Sequence, residues 1–149
     1  MERNVTGPHG REAFGVMGSA IRVVADEAAT GGAWEAAEIT VSPGAGSPPH
    51  TVHGDKAFLV LDGEVTVMVD GEDHAGRPGD VVHIPAGTPH RYLNVSGAPA
   101  RLLVITTGGG HMAFLRGMGR LTADGPPDPG ALAAHTAAPG VRILAPAGG

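Results

Sequence analysis

The stretch of sequence that decides the fold is GDVVHIPAGTPHRYLN, Gly79–Asn94. Within it, Val81–Ile84 is a short apolar run with β-branched residues, which is typical of a strand. Pro85 and Gly87 then interrupt the run, because proline removes a backbone donor and glycine permits turn conformations. A second run of strand character, His90–Val95, follows the turn. The segment therefore predicts two short strands joined by a turn, with a histidine at the start of the second strand.

A second segment, Gly44–Gly63, also places glycines around polar residues. The turn formers Ser42–Pro49 lead into it, and the two prolines before His50 favour an extended backbone there. Ala57–Leu61 is an apolar run of strand length. Asp62-Gly63 follows it and precedes EVTVMVD, and Asp-Gly between two such runs predicts a β-hairpin.

The remaining chain adds strands and changes character only near its end. Seven or eight strand candidates are separated by turns: Ala20–Ala25, Trp34–Ser42, Ala57–Leu61, Glu64–Asp70, Val81–Ile84, His90–Val95 and Arg101–Thr107. Such spacing without helical patterns between the strands predicts an all-β sandwich or barrel. After three glycines, His111–Met118 and Ala131–Ala138 are predicted helices, and Val141–Leu144 is a last extended segment. We expect a short C-terminal helical cap over residues 108–149.

Composition excludes several classes of protein. The 149 residues and 14.9 kDa suit one domain, and 25 glycines with 13 prolines argue against a helix bundle. A net charge of −5 without a basic run, together with few aromatic residues, disfavours nucleic acids and anionic membranes as partners. No apolar stretch approaches the length of a membrane span. Cysteine is absent and the first twelve residues have no apolar secretory core, so we expect a cytoplasmic protein.

The two segments resemble the cupin family. Its second signature, G-x5-P-x-G-x2-H-x3-N, is matched in full by Gly79, Pro85, Gly87, His90 and Asn94. Its first signature, G-x5-H-x-H-x3,4-E-x6-G, is kept at Gly44, His50 and Gly63. The resemblance implies a cupin double-stranded β-helix, or jelly-roll barrel, as a single domain over residues 1–149 with a motif core at 44–94. It also implies a pocket in the barrel mouth, a homodimer, and a first-row metal on three histidines and one glutamate.

Two of the four metal ligands that the resemblance implies are missing. Lys56 stands at the glutamate's position and Val52 at the position of the second histidine. Lys56 is the single lysine of the chain, beside nine arginines. A desolvated lysine has a lowered pKa and serves as an acid or base near neutral pH, which arginine does not. The alternative interpretation is a side chain that reaches the barrel rim and is solvated there.

Strand alternation places His50 and His90 inside the barrel, and Tyr92 shares the face of His90. The predicted catalytic residues are Lys56, His50, His90 and Tyr92. The predicted substrate-pocket residues are Phe58, Val60, His83 and Met68. His83 either lines the pocket or packs outward, because the turn at Pro85–Gly87 hides its strand parity.

The third histidine of a metal site is ambiguous in the sequence. If a metal is bound, the predicted ligands are His50, His53 and His90. His53 is three residues from His50 and points inward only through a bulge at 52–54, and otherwise it is an exposed loop residue. His111, after the three glycines, either caps the barrel mouth or packs at the start of a helix.

Three functions remain open at this point. The first is a small-molecule enzyme of metabolism or natural-product tailoring, of isomerase, cyclase or dehydratase type, that uses Lys56 with His50 and His90 and holds no metal tightly. The second is a metal-dependent cupin, dioxygenase- or hydrolase-like, with weakly held zinc, iron or nickel on the three histidines. The third is a non-catalytic cupin that binds a small ligand.

The expected partner is a small, fairly apolar organic molecule. No cluster of arginines suited to a phosphate converges on the motif strands. We also expect pairing of barrel edges in a homodimer, because an open sheet edge is a liability that pairing removes.

Overall fold

The computed structural model describes residues 6–7, 10–136 and 141–144, and most of these residues lie in two antiparallel sheets. One sheet has six strands in the spatial order β1 (Ala13–Val16), β2 (Ser19–Ala25), β3 (Trp34–Val41), β10 (Ala100–Thr107), β5 (Lys56–Asp62) and β8 (Val81–Ile84). The other has five, in the order β11 (Val141–Ile143), β4 (His50–Val52), β9 (His90–Leu93), β6 (Val65–Val69) and β7 (Glu72–Gly76). The helices of the described ranges are α1 (Glu27–Thr30), α2 (His111–Thr122) and α3 (Pro129–Thr136).

The core lies between the inner faces of these sheets. Alternate residues of β5 are buried, so Phe58 and Val60 point inward together with Leu102 of β10. Val65 and Val67 of β6 meet them from the five-stranded sheet. Alternation of this kind is what a strand with one buried face requires. The architecture confirms the expected jelly-roll barrel with a C-terminal helical part.

Most predicted strands are present with small shifts of their ends, and Val81–Ile84 has the predicted bounds. Four short elements were not predicted: β1, α1, β4 and β7. Their patterns are weak because each has three to five residues.

The hairpin predicted at Asp62-Gly63 is wrong. β5 before it pairs with β10 and β8, whereas β6 after it pairs with β7 and β9 in the other sheet. The dipeptide is therefore a corner at which the chain changes sheets. Two-residue hairpins lie instead at Asp70-Gly71 and at Met17-Gly18, where both residues have positive φ, as a type I′ turn requires.

The C-terminal part contributes to the barrel as well as capping it. Helix α2 begins at His111 as predicted and continues to Thr122. Helix α3 covers Pro129–Thr136, and residues 137–138 of the predicted second helix lie outside the described residues. The extended segment Val141–Ile143 joins the five-stranded sheet as β11 and pairs with β4, with Ile143 opposite His50. No helix of the described ranges is long and apolar enough to cross a membrane.

Asn94, the last residue of the second motif, links the ends of neighbouring strands through its side chain. Its side chain is fully buried, and Nδ2 donates to the carbonyl oxygens of Val41 at 2.9 Å and Ala98 at 2.8 Å. Its Oδ1 accepts hydrogen bonds from the backbone N–H and the hydroxyl of Ser96. Asn94 is therefore structural, and it holds the turn between β9 and β10.

We expect Asn94→Ala to lower the free energy of unfolding by about 2–4 kcal/mol, because two carbonyl oxygens lose their donor and each orphaned group costs about 1–3 kcal/mol. Urea denaturation of the variant measures the loss. Val95→Ala is the matched control, since Val95 is the next residue and is 69% exposed. Equal stability of both variants would show that the Asn94 bonds do not support the turn.

Candidate active site

Two buried histidines lie side by side in the barrel mouth. His50 of β4 and His90 of β9 are register partners, and their ring centroids are 4.2 Å apart. His50 Nδ1 lies 2.9 Å from the carbonyl oxygen of Pro48, and His90 Nδ1 lies 2.8 Å from that of Thr88. Because a carbonyl oxygen only accepts, each Nδ1 carries the ring proton. Each Nε2 is then an acceptor, and both are directed at the same neighbour.

That neighbour is the amine of Lys56, the first residue of β5. Its Nζ lies 3.1 Å from His50 Nε2 and 3.0 Å from His90 Nε2. It also lies 4.9 Å from the centroid of the Phe58 ring. The Lys56 side chain is buried, so the interpretation as a rim residue is wrong. We call Lys56, His50 and His90 the Lys–His cluster.

Burial sets the protonation states of the cluster. It lowers the pKa of Lys56 to about 7, because the charged ammonium loses its hydration. Burial, reinforced by the charge of Lys56, lowers the pKa of His90 to about 4 and lowers that of His50 in the same direction. Near neutral pH the imidazoles are therefore neutral acceptors, while the amine exchanges between its charged and neutral forms.

A small cavity lies beside the cluster and is mostly apolar. The polar side chains of its wall belong to Ser47, His50, Lys56, Tyr92 and His111. Its apolar lining includes Ile39, Phe114, Leu115, Met118, Val141 and Ile143. Helix α2 and strand β11 thus cover the barrel mouth.

His111, the first residue of α2, lines this cavity. Burial lowers its pKa well below the usual value, and the charge of Lys56 acts in the same direction. Its Nδ1 is buried and has no hydrogen-bond partner among the described residues. The sequence left two roles open for His111, and the structure combines them, since the residue packs at the helix start and lines the cavity.

Glu35 holds the start of α2 in place, which the sequence analysis missed. Its carboxylate is buried and accepts hydrogen bonds from the backbone N–H groups of His111 at 2.9 Å and Met112 at 3.4 Å. Its other carboxylate oxygen accepts a third hydrogen bond, from the backbone N–H of Glu27. A carboxylate at a helix N-terminus satisfies free N–H groups and opposes the positive end of the helix dipole. Alternation along β3 was the available signal, because Glu35 shares the buried face of Ala37 and Ile39.

Tyr92 lies in the cavity wall as predicted. Its hydroxyl is 3.5 Å from Ser19 Oγ, and its ring packs edge-on against Phe58 with centroids 5.8 Å apart. Burial raises the pKa of Tyr92, so the hydroxyl stays protonated near neutral pH. Its part in catalysis remains a prediction.

The remaining predicted pocket residues do not line the cavity. Phe58 is fully buried beneath the cluster and contacts its groups, whereas Val60 is two residues deeper in the core. His83 is exposed, because Ile84 is the inward residue of β8 and pairs with Lys56. Met68 lies on the outer face of β6, where its register partners are Asp73 and Arg91. His83 and Met68 are thus corrections to the predicted pocket.

The metal site that the family resemblance implies does not fit the residues present. His53 is exposed and its Nε2 lies 2.9 Å from the carbonyl oxygen of Gly108, so it does not join His50 and His90. Within the described ranges no three His, Asp or Glu side chains are grouped to hold a metal. Two imidazoles are fewer ligands than a stable zinc site uses. The amine of Lys56 also occupies the point on which both Nε2 lone pairs converge, and its charged form repels a cation.

A family model matches the part of the chain that carries the two motifs, and a curated protein matches about half of the chain. Residues 37–106 match the family described as the cupin domain. The chain is 40% identical over 72 residues to quercetin 2,3-dioxygenase of Bacillus subtilis, a match that covers 47% of this chain and 21% of that protein. The chain thus spans about a fifth of the length of that relative.

Two solved structures show the same fold. A polyketide cyclase from Streptomyces resistomycificus superposes with a TM-score of 0.62 at 24% identity, over 72% of this chain and 80% of that one. A cupin-superfamily sugar phosphate isomerase from Silicibacter pomeroyi gives a TM-score of 0.54 at 28% identity, over 60% of this chain and 59% of that one.

The lowered pKa of Lys56 predicts a specific pH dependence of stability. Between about pH 7 and its unfolded value of 10.5, the unfolded chain holds a proton on Lys56 that the folded chain lacks. Raising the pH through this window therefore favours the folded state. We expect the unfolding free energy of the wild type, minus that of Lys56→Met, to rise by up to about 1.4 kcal/mol per pH unit there. Urea titrations across the window measure it.

Arg77→Met is the control for this measurement. The variant removes an exposed cation and leaves the buried amine of Lys56 in place, so its difference from the wild type should not change with pH. A flat difference for Lys56→Met as well would contradict a buried amine with a lowered pKa.

Proposed function

This chain belongs to the cupin superfamily, and from that premise we propose that it is an enzyme that moves protons on a small, mostly apolar organic molecule, with the Lys–His cluster as its acid–base group and no metal. The observation that carries the proposal is the amine of Lys56 held between two imidazole acceptors at the polar end of an apolar cavity. Isomerisation, cyclisation and dehydration share the removal of a proton beside an electron-withdrawing group, and we assign that step to the cluster.

The protonation equilibrium of Lys56 suits this role. A base works best when its pKa lies near the ambient pH, because the free base is then abundant and still basic enough. The pKa of Lys56 is lowered to about 7, so about half of the molecules hold a neutral amine near neutral pH. An ordinary lysine would hold only about one neutral amine in 10³ there.

The neighbours of Lys56 stabilise the product of proton removal. Once Nζ takes a proton it becomes an ammonium, and two of its N–H groups donate to the Nε2 atoms of His50 and His90. The face of the Phe58 ring also attracts the cation at 4.9 Å. The ring N–H groups of the histidines donate to backbone carbonyl oxygens, so the acceptors cannot rotate away without losing those bonds.

The cavity supports an apolar substrate with one polar end. Most of its described lining is aliphatic or aromatic, and no arginine is among those residues. A phosphate group would need such a charged, bidentate partner. For this reason we do not extend the activity named for the sugar phosphate isomerase to this chain. The oxygenase chemistry named for the Bacillus relative is set aside as well, because Lys56 replaces the expected carboxylate.

We expect the protein to catalyse the exchange of hydrogen for deuterium beside the carbonyl group of simple ketones in D₂O, followed by proton NMR. The probes run from acetone to 1-phenylpropan-2-one, so that small and aryl ketones are both tested. The rate should rise with pH through about 7, as the amine of Lys56 loses its proton. Lys56→Met and Lys56→Arg should both lose about 10²–10⁴ in rate, because neither side chain is a base near neutral pH.

His83→Ala is the matched control, since His83 is an exposed histidine on the outer face of β8 and should exchange at the wild-type rate. Absence of exchange with every ketone would contradict the proposal, and so would full activity in Lys56→Met. A rate that is lost on treatment with a chelator and restored by zinc, iron or nickel would favour the metal-dependent alternative instead.

A further inference from the structure

The hydrogen bonds of Lys56 leave one direction of its nitrogen uncommitted. A neutral amine has two N–H groups and one lone pair. Both Nε2 acceptors must receive an N–H, because their own ring protons are on Nδ1. Nζ makes no further hydrogen bond in the described part of the chain. The lone pair is therefore the part of this nitrogen that takes part in no hydrogen bond among the described residues. Lys56 also lines the cavity, where a ligand can meet it.

The surroundings favour attack by that lone pair. A desolvated lysine in an apolar pocket is an activated nucleophile toward carbonyl carbons, because it is neutral and has no water shell to lose. The cavity beside Lys56 is mostly apolar, and α2 and β11 cover it. Condensation with a carbonyl compound releases water, which such surroundings also favour.

A second polar atom is available for the oxygen of the same substrate. His111 Nδ1 is buried, faces no partner among the described residues, and belongs to a side chain of the cavity wall. A buried polar atom without a partner is costly and points to a ligand or water that satisfies it. A carbonyl oxygen, or the hydroxyl formed from it, supplies the missing partner.

We propose that Lys56 is a nucleophile that forms an imine with an aldehyde or ketone group of a small, mostly apolar molecule. This inference rests on the proposed function and names its substrate class. The Nζ lone pair forms the C–N bond while the C=O π pair moves to oxygen. One proton then passes from nitrogen to oxygen through an Nε2 atom of the cluster. A second proton follows, the C–O bond breaks, and water leaves as the C=N bond forms.

The hydrogen count of this reaction gives the histidines a second role. Both hydrogens of the original amine leave in the water, and a protonated imine regains only one. The nitrogen of a protonated imine has one N–H group, so it can donate to only one of the two Nε2 atoms of His50 and His90. The other Nε2 atom then has no donor and is free to accept a proton. A protonated imine acidifies the neighbouring C–H group, and the released imidazole is placed to accept that proton.

The chain has a single lysine, so imine formation can be mapped to one residue. The test uses the Arg77→Lys variant, which adds a lysine at an exposed position as an internal reference. The protein is incubated near neutral pH with butan-2-one and sodium cyanoborohydride, which reduces an imine to a stable alkyl amine. Peptide mass mapping then compares Lys56, the reference lysine and the N-terminal amine.

We expect Lys56 to be alkylated at least about 10-fold faster than the reference lysine, since its neutral fraction is up to about 10³-fold larger. Unfolding the protein in urea should remove the preference. Equal or slower labelling of Lys56 overturns the imine. If deuterium exchange still depends on Lys56 in that case, Lys56 acts as a base alone and the proposed function stands. If neither labelling nor exchange depends on Lys56, both proposals fail.

Discussion

The contact between one amine and two imidazoles is the constraint on which the barrel mouth depends. Lys56 Nζ lies within 3.1 Å of both Nε2 atoms, and each imidazole is held at its other nitrogen by a backbone carbonyl oxygen. Every member thus has its protonation pattern set by its neighbours. A glutamate at this position would attract a metal cation, whereas Lys56 is itself a cation when it is protonated. The two histidine nitrogens that would bind a metal instead accept hydrogen bonds from the amine of Lys56.

The position of helix α2 over the cavity is also set by buried polar groups that find hydrogen-bond partners. Lys56, Thr106 and Glu35 lie in one row across the six-stranded sheet, since Thr106 is the register partner of both others. Glu35 binds the first backbone N–H groups of α2 and thereby positions His111 over the cavity. Arg116, farther along α2, binds the carboxylates of Glu12 and Asp26. These bonds set where the helix lies on the barrel, and the apolar side chains of α2 then cover the cavity.

The two motifs and strand alternation together predict the barrel and the inward pair His50 and His90. Lys56 is predictable as a site residue because it stands at the glutamate's position in the first motif, although only the structure shows that its side chain is buried. Alternation also places Met68 outside, since Val65 and Val67 are inside, and the prediction of Met68 as a pocket residue ignored it. The parity of His83 was unreadable through the Pro85–Gly87 turn until its pairing with β5 was known. His111 and Glu35 become neighbours only through contacts between residues 76 positions apart, and no local pattern reports such a contact.

Burial between two neutral histidines lowers the pKa of Lys56 so far that about half of the molecules hold a neutral amine near neutral pH. Since the chain has one lysine, protein labelled with ¹³C-lysine has one set of lysine signals, and the shift of its Cε reports the charge on Nζ. The account predicts that this shift titrates with a midpoint near pH 7 in the folded protein. A midpoint near the ordinary lysine value of about 10.4 would contradict it.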